Sequence, residues 1–425
     1  MNILVVGSGA REHALCWRLS QDPGVAHLVC APGNAGLATL FDTTAVDPAD
    51  PDAILALAAR ENIDLTVVGP EAPLERGVVD LFASRERLIF GPTRRAAQLE
   101  TSKAFAKSFM ERHGVPTARS RICSSAEAAI DAIRSGSLGP TVVVKADGLA
   151  AGKGVVVAED ALEAETAVRA MMLDRAFGDA GRTVVLEERL QGPELSFFVI
   201  ASGAEFVPLV AAQDHKRIFD DDRGPNTGGM GAFAPTPLLD EALREVILRT
   251  IVRPVLNGMI AEGAPYSGFL YCGLMLTSAG PKVIEFNVRF GDPEAQVVLP
   301  LIAEPLAPLL QAAAAGTLRT REIAVRSDPH VGVVLAAQGY PGDVRAGQAI
   351  EGLERVAAEC PDVQVFHAGV KRQGSGLVAG GGRVLTVVGH GPTFQAAIDR
   401  VYDAVSRVRF EGMQFRRDIG RKALP

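Results

Sequence analysis

Short apolar runs alternate with amphipathic stretches along residues 1–100. The runs have the length and continuous apolar character of buried strands, and the stretches between them have helical spacing. The predicted strands are 2–6, 28–30, 65–68 and 88–90, and the predicted helices are 10–19, 53–60 and 74–84. Strands that alternate with helices form a parallel sheet with right-handed crossovers. The sequence therefore predicts an N-terminal parallel α/β domain.

Glycine and polar residues follow each of these predicted strands. In a parallel sheet, ligands gather at the carboxyl ends of the strands. The four ends are 7–12, 31–36, 69–75 and 91–95. The residues that we expect to contact a substrate there are Gly9, Arg11, Glu12, Asn34, Pro70 and Glu71.

The turn after the first strand resembles the start of a dinucleotide-binding fingerprint. Gly7 and Gly9 have the right spacing, but the third glycine of the fingerprint is replaced by Glu12. The acidic residue expected after the second strand is also missing, because that strand runs into Ala31 and Pro32. A glycine-rich turn is present without the features that specify NAD, and a purely structural strand–helix turn is the alternative.

A glycine-rich stretch with two lysines, Lys145 to Gly154, lies between two β-branched runs at 141–144 and 155–157. Backbone N–H groups of such a turn can converge on one anion, and Lys145 and Lys153 add positive charge. The pattern predicts a phosphate-binding hairpin, with a flexible surface hairpin as the alternative. Residues 96–135 before it are predicted to be helical apart from a turn at 113–116.

The part of the chain from 183 to 315 combines apolar strands with a long polar loop. The predicted strands are 183–190, 195–201, 268–276 and 282–287, and a long helix is predicted at 239–262. Residues 213–231 carry dense charge and glycine without a regular pattern. A loop of this length in a compact domain is usually functional or disordered, and its composition favours function. His215 within it is expected to be a hydrogen-bonding residue, with acid–base chemistry as the alternative.

Glu285 and Asn287 are two positions apart on a predicted strand, so their side chains point to the same face. A carboxylate and an amide oxygen are hard ligands that suit Mg²⁺, which keeps water and phosphate oxygens for its other positions. The pair predicts a metal site, and a polar face of an edge strand is the alternative. Arg289 lies two positions further on and can meet a carboxylate with a bidentate fork. Asp292 and Glu294 also fit a turn and a helix start, since Pro293 suits a first helical position.

Composition and charge limit the class of protein. At 425 residues the length suggests roughly three domains. We predict them at 1–100, at 101–325 and at 326–425, where short strands and one helix indicate a small β-rich domain. The net charge of −7 argues against nucleic acid as a partner. Five scattered cysteines, with no export signal and no membrane-spanning run, predict a cytoplasmic protein.

Several long motifs together resemble the ATP-grasp superfamily and, within it, the glycinamide ribonucleotide synthetase family. The motifs are Gly9-Ala10-Arg11-Glu12-His13-Ala14, Ala31-Pro32-Gly33-Asn34-Ala35-Gly36, Gly69-Pro70-Glu71-Ala72-Pro73-Leu74, Gln213-Asp214-His215-Lys216-Arg217 and Gly224-Pro225-Asn226-Thr227-Gly228-Gly229-Met230-Gly231. The resemblance covers essentially the whole chain. The family's first motif often reads Gly-Asn-Gly-Gly, whereas this chain has Gly7-Ser8-Gly9-Ala10, a mild departure.

The resemblance implies an ATP-grasp core of two subdomains with ATP between two antiparallel sheets. Lys103 and Lys145 would contact phosphates. Gly148, Gly152, Lys153 and Gly154 would belong to a nucleotide lid, at about 116–190, that closes over them. Glu187, Glu188 and Leu190 would present groups to adenine, and Glu194 would hold the ribose. Glu285 and Asn287 would bind Mg²⁺, with Mn²⁺ as the alternative. Many ATP-grasp enzymes carry a second metal-binding acid on the neighbouring strand, but here that place is near Gly273.

The resemblance also implies a reaction and its partners. ATP would phosphorylate glycine to glycyl phosphate, and the amine of 5-phosphoribosylamine would then displace phosphate in a step of purine synthesis. Asp214, Lys216 and Arg289 are the expected catalytic residues, and Gly229, Met230 and Asp292 would join the strand-end residues in binding substrates. We expect a monomer. The alternatives are another ATP-grasp carboxylate–amine ligase or carboxylase, and a nucleotide-sensing or NAD-binding protein without ligase activity.

Overall fold

Five parallel strands form the first sheet of the computed structural model, which describes residues 1–149 and 154–424. The strands are β1 (Asn2–Gly7), β2 (His27–Pro32), β3 (Asp42–Thr43), β4 (Leu65–Val68) and β5 (Ile89–Phe90). They lie in the order β3-β2-β1-β4-β5, with every neighbouring pair parallel. The predicted parallel α/β arrangement of residues 1–100 is therefore confirmed.

The helices between these strands are α1 (Ala10–Leu19), α2 (Pro51–Arg60), α3 (Glu71–Glu75) and α4 (Val78–Ser84). Carboxylate side chains cap the first two of them. The Asp50 carboxylate accepts a hydrogen bond from Ala53 N at the start of α2, where Pro51 suits the first position. At the start of α1 the Glu12 carboxylate turns back to accept from Gly9 N, at 2.6 Å. Both caps satisfy backbone donors that the first helical turn leaves free.

A second, antiparallel sheet lies within residues 116–190, where a lid is predicted. It follows helices α5 (Gln98–Thr101) and α6 (Lys103–Arg112). Its elements are β6 (Ser120–Cys123), α7 (Ala126–Arg134), β7 (Val142–Ala146), β8 (Val155–Val157), α8 (Ala161–Met172) and β9 (Val184–Glu188), with strand order β6-β9-β7-β8. The prediction of helix throughout 96–135 is wrong at β6. This short edge strand has three exposed residues and no apolar alternation, so its pairing with β9 decides its structure.

A third sheet, in the order β11-β10-β16-β17, faces the second. The strands of this region are β10 (Glu194–Ser202), β11 (Glu205–Pro208), β12 (Gln213–Asp214), β13 (Arg217–Phe219), β14 (Arg223–Asn226), β15 (Gly231–Ala234), β16 (Ser267–Thr277) and β17 (Gly280–Asn287). Its helices are α9 (Glu241–Ile247), α10 (Arg253–Ala261), α11 (Glu294–Val298) and α12 (Ala307–Ala314), and a π-helical turn at Leu248–Val252 joins α9 to α10. The expectation of an irregular loop at 213–231 is wrong, because β13 and β14 form a hairpin there.

The last sheet combines strands from two distant parts of the chain. The C-terminal elements are β18 (His330–Ala336), α13 (Leu353–Glu359), β19 (Gln364–His367), β20 (Val370–Gln373), β21 (Gly376–Ala379), β22 (Arg383–His390) and α14 (Phe394–Val405). The sheet order is β12-β15-β18-β22-β19, so two strands from before residue 326 complete it. The domain division at 326 stays a prediction.

One apolar core joins the first sheet to the third. Val6 of β1, Phe109 of α6, Phe197 of β10 and Leu256 of α10 belong to a single buried cluster. The carboxyl ends of β1 and β4 are thereby held close to the third sheet, which places the turns after these strands beside it. The five cysteines are buried and unpaired. Among the described residues, we find no helix with the length and apolar character needed to cross a membrane.

A buried arginine ties the β13–β14 hairpin to the segment after α14. The Arg416 side chain has no exposed surface and pairs with Asp222 at 2.8 Å and Asp418 at 2.5 Å. It also donates to Arg217 O, at 3.1 Å, and Lys422 pairs with Asp222. We call Arg416, Asp222, Asp418 and Lys422 the hairpin clamp. The clamp therefore holds the hairpin at its start, through Arg217 O, and at its turn, through Asp222.

Replacing Arg416 with methionine tests the clamp. The change leaves two carboxylates without their buried partner, so we expect the free energy of unfolding to fall by roughly 3 kcal/mol. Urea unfolding followed by circular dichroism measures the loss. The matched control is Arg417→Met, which removes an exposed arginine stacked on Phe415 and changes stability by no more than about 1 kcal/mol. Equal effects of the two substitutions contradict a stabilising role for the clamp.

Candidate active site

A cavity of about 520 Å³ lies between the second and third sheets and extends to the turns of the first. Its lining includes Lys103 of α6, Lys145 of β7, Glu285 of β17, and Arg11 and Glu71 from the first sheet. Ionisable side chains from four regions of the chain therefore face one space. A concave site with convergent polar groups is the usual setting for ligand binding and catalysis.

Two lysines share one carboxylate at the end of the cavity between α6 and β7. Glu187 of β9 pairs with Lys145 at 2.9 Å and with Lys107 at 3.1 Å, and all three side chains are buried. Lys145 also donates to Ile284 O of β17, at 3.0 Å. Burial lowers the pKa of Lys107 to about 8 and lowers that of Lys103, with Glu285 opposing the shift of Lys103. Concentrated positive charge at this end suits the phosphates of a nucleotide.

Lys107 is a site residue that the sequence reasoning missed. It lies one helical turn after Lys103 on α6, so the two lysines share a helix face. That spacing is the signal that could have identified it. Thr117 accepts a hydrogen bond from Lys107 Nζ at 2.6 Å and fixes the side chain further.

The predicted metal ligands sit at the end of β17 on the cavity wall. Glu285 and Asn287 both line the cavity, as their spacing on the strand predicts. Burial works against the charge of Glu285, but Lys216, Lys145, Lys103 and Arg289 lower its pKa, so it is a carboxylate. The residue opposite Glu285 on β16 is Gly273, as expected, which provides no second acid. Within 1–149 and 154–424, no group of three His, Cys, Asp or Glu residues is arranged to hold a metal alone, so water and phosphate oxygens would complete the coordination.

Acidic residues surround Lys216 in the middle of the cavity. Lys216 pairs with Glu194 at 2.8 Å. Although burial opposes its charge, Asp214 and Glu194 raise the pKa of Lys216 well above its usual value. Burial raises the pKa of Asp214 to about 7; Lys216 opposes this shift and Glu294 adds to it. A carboxylate that changes charge near neutral pH is suited to proton transfer.

Glu294 lies in this acidic cluster as well. Its Oε1 accepts a hydrogen bond from Ser196 Oγ, at 3.2 Å, and burial raises its pKa. Glu294 is also the first residue of α11, so it both begins a helix, as the sequence suggested, and lines the cavity.

Arg289 is held between two carboxylates from different helices. Its Nε lies 3.3 Å from Glu71 Oε2 and its Nη2 lies 3.1 Å from Glu100 Oε1. Burial opposes the charge of Arg289, but these two carboxylates raise its pKa. The side chains of Arg289 and Glu100 are 19% and 9% exposed. Arg289 is thus a fixed, permanently charged fork on the wall of the cavity, and Glu100 is a second site residue that the sequence reasoning missed.

The C-terminal domain contributes two more residues that lacked a sequence signal. Tyr340 Oη accepts a hydrogen bond from Gly228 N, at 2.8 Å, and Arg383 donates to Gly228 O, at 2.7 Å. Arg383 also pairs with Asp292 at 3.1 Å. At the next position, Gly229 has a φ of +112°, and a Cβ there would lie 2.4 Å from Pro293, so the backbone needs glycine. These contacts hold the 226–229 loop beside the expected substrate residue Asp292.

The turn after β1 is occupied by its own carboxylate. Glu12 accepts from Gly9 N and from Arg11 Nε, both at 2.6 Å. A Cβ at Gly69 would lie 2.1 Å from Glu12 Oε1, so Glu12 fills the space above this turn. A dinucleotide fold places its pyrophosphate at this helix start. The negative Glu12 side chain therefore argues against the NAD-binding alternative.

Several expected substrate residues lie apart from the cavity lining. The Asn34 side chain donates to Ser8 O and His367 O and accepts from Gly36 N and Leu37 N, so its amide is engaged inside the protein. Met230 is buried in a small apolar cluster with Ile218 and Ala336. Pro70, Arg11 and Glu71 do line the cavity. Contact of Gly9, Glu12, Asn34, Gly229 and Met230 with substrate stays a prediction.

Only some of the expected nucleotide-binding residues line the cavity. Gly148 and Gly154 line the cavity, and Lys103 Nζ donates to Gly148 O, at 3.2 Å. Gly152 and Lys153 lie outside the described residues. Glu188 pairs with Arg119 at 2.7 Å and with Lys282 at 3.4 Å, and Leu190 follows the end of β9. The nucleotide roles of Glu188 and Leu190 stay predictions.

His215 differs from its expected role as a hydrogen-bonding residue. Its side chain is buried beside Phe233, and in the described part of the chain neither ring nitrogen has a hydrogen-bond partner. Burial lowers its pKa to about 3, so the ring is neutral. The neutral imidazole of His215 packs beside Phe233, while its sequence neighbours Asp214 and Lys216 line the cavity.

Family models match three consecutive parts of the chain. They are the N domain of phosphoribosylglycinamide synthetase at residues 1–100, its ATP-grasp (A) domain at 101–295 and its C domain at 330–422. The ATP-grasp domain implies binding of ATP, generally with a divalent cation.

Two curated relatives match over the whole length of the chain. A phosphoribosylamine–glycine ligase of Pseudomonas aeruginosa is 48% identical over 427 residues, which cover 100% of this chain and 98% of the relative. A protein of the same name from Streptomyces coelicolor is 49% identical over 425 residues, with 100% and 99% covered.

Solved structures share the fold. The phosphoribosylamine–glycine ligase of Thermotoga maritima superposes with a TM-score of 0.86 at 33% identity, covering 98% of this chain and 100% of that one. A biotin carboxylase of Campylobacter jejuni, at 18% identity, has a TM-score of 0.73 over 97% of this chain and 93% of its own, and supports the fold alone. The predicted ATP-grasp architecture is confirmed. With its three domain matches and its full-length relatives, this chain belongs to the phosphoribosylglycinamide synthetase family.

Proposed function

We propose that this chain joins glycine to 5-phosphoribosylamine at the expense of ATP, giving glycinamide ribonucleotide, ADP and phosphate. One observation carries the proposal beyond family membership. The cavity that holds the lysines and Glu285 also holds Arg289 and Asp214. A ligase of this kind needs a phosphate-binding end and an acceptor end in one water-excluding space.

ATP would place its phosphates at Lys103 and Lys145. Glu187 pairs with Lys145 and Lys107 and keeps the side chains of those two lysines in place before the nucleotide binds. The backbone from Glu187 to Leu190 would face adenine, and Glu194 would hold the ribose hydroxyls. The hairpin that ends at Gly154 would cover the phosphates.

Glu285 and Asn287 are suited to a resident Mg²⁺, with Mn²⁺ as a possible replacement. Their oxygens are hard ligands, and Glu285 stays ionised among four cations. Held by Glu285 and Asn287, the cation would supply positive charge that offsets the negative charge of the phosphates. The protein supplies the remaining positive charge through its lysines and Arg289.

In the first step, a glycine carboxylate oxygen attacks the γ-phosphorus of ATP and ADP leaves. The product is glycyl phosphate, whose phosphate is a good leaving group. Arg289 would hold the glycine carboxylate in line with the γ-phosphate, since its guanidinium is charged and fixed by Glu71 and Glu100. Lysines at the phosphate end would neutralise the charge that develops on the transferring group.

In the second step, the amine nitrogen of 5-phosphoribosylamine attacks the glycyl carbonyl carbon and phosphate leaves. The nitrogen must lose a proton as the amide forms. Asp214 would accept this proton, because its pKa of about 7 matches the operating pH. Lys216 beside it would stabilise the carbonyl oxygen as charge develops there. The sugar phosphate would extend towards Arg11, Glu71 and Asp292.

Product analysis tests the proposed function. ADP release should require glycine and 5-phosphoribosylamine together, and glycinamide ribonucleotide should appear in equal amount. Another ATP-grasp ligase or a carboxylase would release ADP with a different acceptor. Calorimetry with NAD and with Mg–ATP adds a second check, since tight NAD binding without ATP binding is incompatible with a ligase.

Glu285→Ala should remove metal-dependent turnover while the fold stays intact. Loss of a ligand weakens the neutralisation of phosphate charge, so we expect kcat/KM to fall on the order of 100-fold in saturating Mg²⁺. Coupled-assay kinetics and circular dichroism measure the two properties. Glu245→Ala, an exposed carboxylate on α9, is the control and should behave as the wild type. Unchanged turnover of Glu285→Ala excludes Glu285 as a ligand.

The pH dependence of the reaction tests Asp214. Its pKa of about 7 means that the ionised, proton-accepting form is lost as the pH falls below that value. We expect kcat to decrease on the acid side of pH 7 in the wild type. Asp214→Asn should lower kcat on the order of 100-fold and remove this acid limb. An acid limb that persists unchanged in Asp214→Asn assigns the proton transfer to another group.

A further inference from the structure

Glu100 makes two contacts that join different parts of the active site. One carboxylate oxygen, Oε1, pairs with Arg289 Nη2 at 3.1 Å. The other, Oε2, accepts a hydrogen bond from Val288 N at 2.7 Å. Val288 directly follows β17, so one carboxylate fixes the backbone at the end of that strand and the side chain of the next residue. Glu100 itself belongs to α5 and lines the cavity.

The residues that follow Glu100 bind the base of the glycine-rich hairpin. Asp147 accepts hydrogen bonds from Ser102 Oγ, at 3.0 Å, and from Ala104 N, at 3.1 Å. Lys103 Nζ donates to Gly148 O, at 3.2 Å. We call residues 100–104 the bridging segment. It is fixed to the hairpin over the phosphate end and, through Glu100, to Arg289 at the acceptor end.

The contacts of Arg289 leave it free to bind a carboxylate. A guanidinium has five N–H groups. Glu71 takes the one on Nε, Phe290 O takes one on Nη1, and Glu100 lies against Nη2. With respect to the described residues, one N–H remains on each terminal nitrogen, which is the number that a bidentate carboxylate needs. Glu100 therefore restricts the rotation of the fork without using up its binding capacity.

We propose that Glu100 is a positioning residue that orients Arg289 towards the glycine carboxylate and connects this end of the cavity to the phosphate-binding hairpin. The inference rests on the proposed function, because Arg289 is the proposed glycine ligand. Burial raises the pKa of Glu100 to about 7, because removing a carboxylate from water disfavours its charged form. The geometry explains why a carboxylate is placed there, since it has two partners and each uses one oxygen.

Glu100→Gln tests the positioning role. Glutamine keeps the size of the side chain and can still accept from Val288 N, but its neutral amide no longer attracts Arg289. Because a misplaced reactant lowers the rate of the chemical step, we expect kcat to fall about 10- to 100-fold. The KM for glycine should rise by about fivefold or more, while the KM for ATP should change by less than about twofold.

Two further variants separate positioning from a merely structural role. Glu100→Asp keeps the charge but shortens the side chain, so it should recover part of the glycine-dependent activity that Glu100→Gln loses. Glu262→Gln is the matched control, because Glu262 also pairs with an arginine, Arg112, and lies outside the cavity lining. It should leave both KM values unchanged. Calorimetric titration with Mg–ATP shows that each variant is folded and binds nucleotide.

The outcomes distinguish this inference from the proposed function. Wild-type protein whose ADP release does not depend on glycine overturns the proposed function and the inference with it. Glycine-dependent wild-type protein, together with a Glu100→Gln variant of unchanged glycine KM and kcat, overturns the inference alone. Equal losses for ATP and glycine in Glu100→Gln also overturn it, because they indicate a general structural role.

Discussion

A charge removed from water needs an opposite charge beside it, and the cavity is built on this requirement. Glu187 lies between Lys145 and Lys107, Glu194 pairs with Lys216, and Arg383 pairs with Asp292. In each pair the partners come from different elements. The cations can therefore be held in place only when the sheets and helices that supply the carboxylates have assembled. Anionic substrates then enter a space where positive charge is already oriented, so little reorganisation accompanies binding.

Much of the fold follows from sequence patterns that act over short distances. The buried strands of the first sheet are continuous apolar runs, and parallel pairing follows from the helices between them. Other parts could not be predicted in this way. β6 and the β13–β14 hairpin are short and polar, so their structure depends on partners rather than on their own residues. Sheet membership of β12 and β15 depends on β18, which lies about a hundred residues further along the chain.

Some residues of the candidate site could likewise be predicted from the sequence, and others could not. The spacing of Glu285 and Asn287 on one strand is visible in the sequence, and both residues line the cavity. Glu100, Tyr340 and Arg383 act through contacts with residues far away in the chain, and no local pattern marks them. Glu12 shows the opposite case, because the absence of the third glycine signalled a departure from the dinucleotide fold. In the structure, the Glu12 carboxylate accepts from Gly9 N at the helix start where a dinucleotide fold would bind a pyrophosphate.

The hairpin clamp has a consequence for how the protein is made. A ribosome synthesises Arg416 and Lys422 after every residue that lines the cavity. The hairpin between Lys216 and Asn226 thus stays without its buried arginine until the segment after α14 has been made. The parallel sheet uses only residues that precede the hairpin. The hairpin beside the cavity, in contrast, receives its buried partner only when the segment after α14 is present, through a single buried ion pair network.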